Sequence, residues 1–188
     1  MKKAVVVIML LLAAVAAFAA YAGFFATVKV TEGKSGSYVL VCKKMTGPFQ
    51  QTPMVAREIR QWLFLKGVEA RQGFGLYFDD PRKVKAEDLR WVAGCVIDPK
   101  DLKQAAKSGE YPVRVFGPVK AIVAEFPYRN SFSIIAGVFR VYPAMGALAR
   151  EKGYAPGAVL EVYDMKAGLI TYVMPVDPAF DALKAFYK

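Results

Sequence analysis

Histidine is absent from this 188-residue chain, and cysteine occurs only at Cys42 and Cys95. Without histidine there is no His-based triad. With two isolated cysteines there is neither a zinc site of the usual ligand sets nor a thioredoxin-like redox motif. No cofactor and no metal are expected. Both cysteines lie inside apolar runs, where burial as free thiols is the favoured reading and a disulfide in an oxidising compartment is the alternative.

Acidic residues are few as well, 16 Asp plus Glu against 26 Lys plus Arg. Setting aside Lys2 and Lys3 leaves 24 basic residues against those 16, a net +8 that favours anionic lipid or acidic partners. The basic residues are scattered, and the densest run, Lys83 to Arg90, is interrupted by Glu87 and Asp88. A nucleic-acid interface would cluster them on one face, so no nucleic-acid partner is expected.

Long hydrophobic runs are missing beyond residue 28, so one membrane span is the most the chain offers. Between Lys3 and Lys29 lie 25 residues without a charge, more than the roughly 20 that cross a bilayer. A cleavable signal peptide competes, with Lys2 and Lys3 as its basic start and Ala17-Phe18-Ala19 or Ala20-Tyr21-Ala22 as its cleavage site. The run is too long for the apolar core of such a peptide, which favours an anchor through residues 4–28. Tyr21, Phe24 and Phe25 suit an interfacial aromatic belt. The charge bias across the span puts the N-terminus in the cytoplasm and the remainder outside, in the periplasm if the source is bacterial.

Residues 29–37, with Gly33, Ser35, Gly36 and Ser37, read as a linker. One domain of ordinary size follows. Tyr38 to Lys44 reads as a strand closed by Thr46-Gly47-Pro48. Pro53 opens a helix with Thr52 as its N-cap, and Val55, Ile59, Trp62 and Leu63 recur at helical spacing as far as Gly67. Phe74 to Phe78 and Trp91 to Ile97 read as strands. After a polar connector, Val113 to Phe126 is extended and broken at Gly117-Pro118. A longer helix runs from Phe132 to Ala149, with Pro143 expected to kink it. Val159 to Tyr163 and Leu169 to Met174 form a hairpin. Residues 177–188 read as a turn or short helix. The order β-α-β-β occurs twice, an α+β arrangement in which each unit buries a sheet face under its helix.

Leu76-Tyr77-Phe78-Asp79-Asp80-Pro81, the long helix after Phe126-Pro127-Tyr128, and Leu160-Glu161-Val162-Tyr163-Asp164 together resemble the GyrI-like family of small-molecule-binding domains across residues 38–176. Ala20-Tyr21-Ala22-Gly23 and Arg140-Val141-Tyr142-Pro143-Ala144 are similar to a membrane-anchored branch of that family, the branch of the testis-expressed ER-phagy receptor. The motif-bearing tail of that receptor has no counterpart here, so its phagy role is not carried over. The resemblance implies tandem β-α-β-β modules of the SHS2 type, an antiparallel sheet with both main helices on one side, and a central groove where a ligand meets aromatics and one acidic residue.

Glu161 stands at that acidic position. From the residues alone it is a lone carboxylate in an apolar strand, facing away from Leu160 and Val162, and a solvent-facing side chain is the competing reading. Phe74, Tyr77, Phe126, Tyr128, Tyr163 and Tyr172 are candidate groove residues, although core packing is the commoner fate of each. A carboxylate among rings suits a cationic or planar amphipathic small molecule. Asp79-Asp80-Pro81 reads as a turn rather than an acid-base or metal pair. The function expected is binding of such a ligand, or of a protein partner. The alternatives are a hydrolase with Glu161 as base and Tyr77 or Tyr128 as proton donor, and a structural membrane tether.

Overall fold

The long uncharged run does not form one element. In the computed structural model, which describes residues 2–107, 109–155 and 157–187, its first part is helix α1 (Lys2–Ala22). The helix ends at Gly23, whose φ of 100° lies in the left-handed region. A Cβ there would also stand 2.9 Å from the Phe126 ring, so glycine is required on two counts. Phe24, Ala26 and Val28 then leave the helix line and pack against the folded core. The uncharged part of α1 is therefore residues 4–22, about 28 Å of helix.

The segment read as a linker is structured. Val30–Lys34 forms strand β1, paired antiparallel with β6 (Lys120–Pro127). Nothing in its polar composition announced this. The ladder of an existing sheet edge supplies the hydrogen bonds, and Ser35 adds its backbone N–H to the Val119 carbonyl at 2.8 Å. Met1 and Lys188, the outermost residues of the anchor and of the C-terminal segment, lie outside the described residues.

The remaining elements are β2 (Tyr38–Thr46), α2 (Thr52–Leu65), β3 (Ala70–Tyr77), β4 (Arg90–Ile97), the short α3 (Leu102–Lys107), β5 (Val113–Phe116), α4 (Ser131–Glu151), β7 (Val159–Asp164), β8 (Leu169–Pro175) and α5 (Ala182–Phe186). Thr52 is the first residue of α2 and not its cap: a 3-10 turn over Phe49–Gln51 leads in, and the Thr52 hydroxyl donates back to the Phe49 carbonyl at 2.7 Å. Asn130 caps α4 with a reciprocal bond involving Ser133, and Pro143 is accommodated inside the helix. Gly67 and Gly153, both at positive φ, follow the C-caps of α2 and α4.

All eight strands form one antiparallel sheet in the order β1-β6-β8-β7-β3-β4-β2-β5. The segment β2-α2-β3-β4 supplies one half and β6-α4-β7-β8 the other, and β3 meets β7 at the centre. Residues paired across neighbouring strands share a face, and alternate residues change face. Val41, Ala93, Cys95, Gly75, Glu161, Tyr172 and Ala124 therefore lie on one face, where α2 and α4 both pack. Leu40, Phe74, Leu76, Val92, Leu160, Val162 and Val173 form the opposite face, which Phe116, Phe186 and the partly buried Phe180 and Tyr187 help to cover. Phe180 packs edge-on to Phe116 with ring centroids 5.2 Å apart, as a terminal turn.

Cys42 lies opposite Gly94, and Cys95 opposite Val41, so adjacent strands place the two thiols on opposite faces of the sheet. Both are free and buried. Burial raises each thiol to about 11, which suppresses the reactive thiolate. Both cysteines are expected to resist a maleimide in the native protein and to react once it is unfolded in denaturant. Mass spectrometry before and after unfolding reads this directly, and rapid native labelling of either one would contradict the packing.

Candidate functional site

The centre of the sheet lies between the two helices. α2 rests chiefly on β3 and β4, α4 chiefly on β6, and β7 lies between them. Glu161, the third residue of β7, turns its side chain to this helix-bearing face and is only 2% exposed. Its carboxylate accepts two hydrogen bonds of 2.6 Å, Oε1 from the Tyr142 hydroxyl of α4 and Oε2 from the Tyr163 hydroxyl two residues along its own strand. Such short bonds are the charge-assisted kind. Among the described residues, no lysine or arginine forms an ion pair with it.

The network extends into the other half of the sheet. The Tyr163 hydroxyl lies 3.2 Å from that of Tyr77 on β3, which lies 3.2 Å from the Thr52 hydroxyl at the start of α2. Tyr77 reaches this position by folding over Gly75, the cross-strand partner of Glu161; a Cβ on Gly75 would fall on the Tyr77 hydroxyl. Tyr172 on β8 is opposite Glu161 in the ladder, fully buried, and edge-on to Tyr142 with centroids 6.0 Å apart. Its hydroxyl sits where a Cβ on Gly137 of α4 would be, and among the described residues it has no hydrogen-bond partner. Buried polar atoms are nearly always paired.

Burial raises the Glu161 carboxyl above the usual carboxylate range, and the bonds from Tyr142 and Tyr163 oppose that shift without cancelling it. Tyr142 and Tyr163 are both held well above the usual phenol range, first by burial and then by the nearby carboxylate. Tyr77 and Tyr172 move the same way for the same two reasons. All four remain neutral donors at physiological pH.

Of the expected site residues, Glu161, Tyr77, Tyr163 and Tyr172 come together. Phe74 does not: it pairs with Val162 on the opposite face and fills the core there. One residue of register separates it from Gly75 and reverses its direction. Phe126 is on the correct face but is buried under Gly23 and Gly137. Tyr128 lies at the edge of the same core, its backbone N–H bonded to the Gly168 carbonyl at 2.8 Å. Neither Tyr77 nor Tyr128 bonds the carboxylate directly; the tyrosines that do are Tyr163 and Tyr142. Tyr142 and Thr52 were missed as site residues. Tyr142 sits at helical spacing within the core stripe of α4, and sequence spacing alone does not separate a core ring from one whose hydroxyl crosses to the sheet. Asp79 and Asp80 are structural: Asp79 holds the Arg90 guanidinium at 2.9 and 2.7 Å, and Asp80 holds Arg82 within its own turn.

Because the folded-state pKa of Glu161 is raised, its ionisation costs stability that is intact below the unfolded carboxylate value and is lost as pH rises through the folded value. Glu161→Gln is therefore expected to be the more stable protein at neutral pH, by on the order of 1 kcal/mol or about 2–4 °C in Tm, with the gap closing towards pH 4. Thermal melts across pH check this, and a gap that widened in acid would reverse the assignment. Gly137→Ala would normally gain about 1 kcal/mol of helix propensity but is expected to destabilise, since the new methyl displaces the Tyr172 hydroxyl. Adding Tyr172→Phe should restore most of the loss, because the ring Cζ stands 3.2 Å from the new atom. A double-mutant cycle reads the coupling.

No protein-family model matches the chain, and no curated protein matches it in sequence. Solved structures do match. The EcmrR C-terminal domain in crystal form aligns with a TM-score of 0.56 at 13% identity, over 80% of this chain and 98% of that one. EcmrR in its cryo-EM complex with DNA aligns at 0.55 and 14%, over 80% of this chain but only 57% of that one. A structure of SAV2435 bound to tetraphenylphosphonium aligns at 0.49 and 11%, over 85% and 97%, too distant to carry an argument. At such identities the likeness is one of fold. The α+β fold expected from the sequence is thus shared with these domains, and the comparisons say nothing for the membrane-anchored branch or the ER-phagy receptor.

Proposed function

We propose that the protein is a membrane-anchored binding module that captures a small amphipathic cation in the groove between its two halves, at the Glu161–tyrosine cluster. The observation that carries this reading is the buried carboxylate without a cationic partner. A buried ion lacking a countercharge is costly, and a guest that supplies the charge recovers that cost. The surrounding tyrosine rings favour the same guest through cation–π attraction. The orphan Tyr172 hydroxyl offers a further polar contact. Tyr77, Tyr142 and Tyr163 keep part of their surface open to solvent, so entry requires only that these side chains part. The strand order, mirrored about β3 and β7, is what a tandem β-α-β-β duplication would produce, with the groove on its pseudo-twofold axis.

In the same proposal α1 spans the membrane, with Lys2 and Lys3 in the cytoplasm and the domain outside. Its support is an uncharged stretch of about 28 Å that none of the other described residues buries before its last turn. Hydrolysis is the weaker reading: both tyrosines on Glu161 already spend their protons on the carboxylate, and their raised pKa values make them poor proton donors near neutrality.

The test is a thermal-shift series on the full chain in detergent, with lipophilic cations and their neutral isosteres, for wild type and Glu161→Gln. A cation at 100 times its Kd should add about 2.7 kcal/mol to wild-type stability. The neutral isostere should add little, and Glu161→Gln should lose most of the shift. Equal shifts in both proteins would sink the proposal. Chromatography of the ligand after incubation separates binding from turnover.

A further inference from the structure

Helix α4 turns one apolar side to solvent. Phe132, Ile135, Val138 and Phe139 are between 46% and 67% exposed, and their spacing of three, three and one gathers them on one side of the helix. The opposite side, with Ala136, Val141, Met145 and Ala149, makes the core. A patch of this kind on a folded domain marks a surface that something else covers.

Its position says what. Phe132 packs edge-on to Phe18, in the last turns of α1, with ring centroids 5.3 Å apart. The exposed apolar side of α4 is thus continuous with the surface of α1. Two arginines fix the arrangement: Arg129 donates to the Tyr21 carbonyl at 2.8 Å, and Arg140 donates to the Ala26 carbonyl at 3.1 Å. The chain leaving α1 is therefore strapped along α4 over residues 129–140, and β1 follows without slack as part of the sheet. The domain cannot swing clear of the end of α1. Tyr21 and Phe25, 54% and 70% exposed, lie on the strapped segment, which has the composition of an interfacial aromatic belt. The guanidiniums of Arg129 and Arg140, both held on this same segment, add positive charge of the kind that anionic headgroups attract.

We infer that the exposed side of α4, centred on Phe132, Ile135 and Phe139, lies in the interfacial layer of the bilayer that α1 crosses, so that the sheet domain is docked on the membrane and not merely tethered to it. This rests on the reading of α1 as an anchor. It also sets the groove beside the lipid: Tyr142, which holds Glu161, is one helical turn, about 6 Å, beyond Val138 on the same helix. A ligand that partitions into the interface would arrive next to the site.

The experiment uses the full chain in vesicles of phosphatidylcholine and phosphatidylglycerol. Single-cysteine variants at the surface carry an environment-sensitive fluorophore; the native thiols are buried and do not compete for label. Phe139→Cys and Ile135→Cys report on α4, Leu10→Cys on α1, and Val115→Cys on β5, which lies seven strand positions from β1 at the far edge of the sheet. Lipids bearing a nitroxide near the headgroup should quench most of the fluorescence at positions 139 and 135 and little at 115. A nitroxide deep in the acyl chain should quench position 10 most. Strong quenching at 10 with none at 139 and 135 overturns the docking and leaves the anchor standing. No quenching at 10 removes the anchor and the docking together. Fluorescence at 139 that ignores the nitroxides but changes as the protein is diluted assigns the surface to a second copy of the chain, which also overturns the inference.

Discussion

The antiparallel ladder between β3 and β7 joins the two halves of the sheet, and everything distinctive about the site depends on its register. Gly75 stands opposite Glu161 in that ladder, with Tyr77 opposite Val159. Because Gly75 has no side chain, the Tyr77 ring can fold back over it and bring its hydroxyl towards the hydroxyl of Tyr163. A slip of one residue in β7 would turn Glu161, and Tyr163 with it, to the other face among Leu40, Phe74 and Leu76, out of reach of the Tyr142 hydroxyl. The fold tolerates a buried carboxylate only because the pairing delivers tyrosines to it.

The two halves contribute unequally to the same cluster. The first supplies Thr52 and Tyr77, the second Tyr142, Glu161, Tyr163 and Tyr172. A hydrogen-bonded chain from Thr52 to Tyr142 therefore crosses the centre of the molecule and links the start of α2 to the middle of α4. Buried networks of this kind are rigid when every member is satisfied. Here one member, the Tyr172 hydroxyl, is not. The unmatched charge and the unmatched donor lie on neighbouring strands of the same face, which makes the centre of the sheet the polar weak point of an otherwise apolar interior.

At the other end of α4, the apolar segment that follows α1 illustrates how tertiary structure redistributes a hydrophobic run. As sequence, residues 4–28 are uniform. As structure, Gly23 divides them: α1 projects from the domain, while Phe24, Ala26 and Val28 join the core under α4. The polar stretch after them becomes a sheet edge, because β6 presents unpaired backbone groups and any chain passing at the right distance will satisfy them.

The sequence by itself determined the α+β class and the order of the main strands and helices, because periodicity of 2 and 3.6 and the turn residues report local backbone preference directly; it missed β1 and α3, which lie in polar stretches. It singled out Glu161 as a lone carboxylate between Leu160 and Val162, but alternation left a solvent-facing side chain open, and only the family resemblance pointed it to a groove. The tertiary structure decided which aromatics accompany it. Tyr163, two residues away on the same strand, was within reach of alternation alone. Alternation alone puts Phe74 and Tyr77, three residues apart on β3, on opposite faces, but only the register against β7 decides that Tyr77 is the one on the face of Glu161. Tyr142 approaches from a helix packed on the sheet, a contact separated from Glu161 by 19 residues. Side-chain direction across an interface depends on packing between elements, and no local pattern in the chain encodes it.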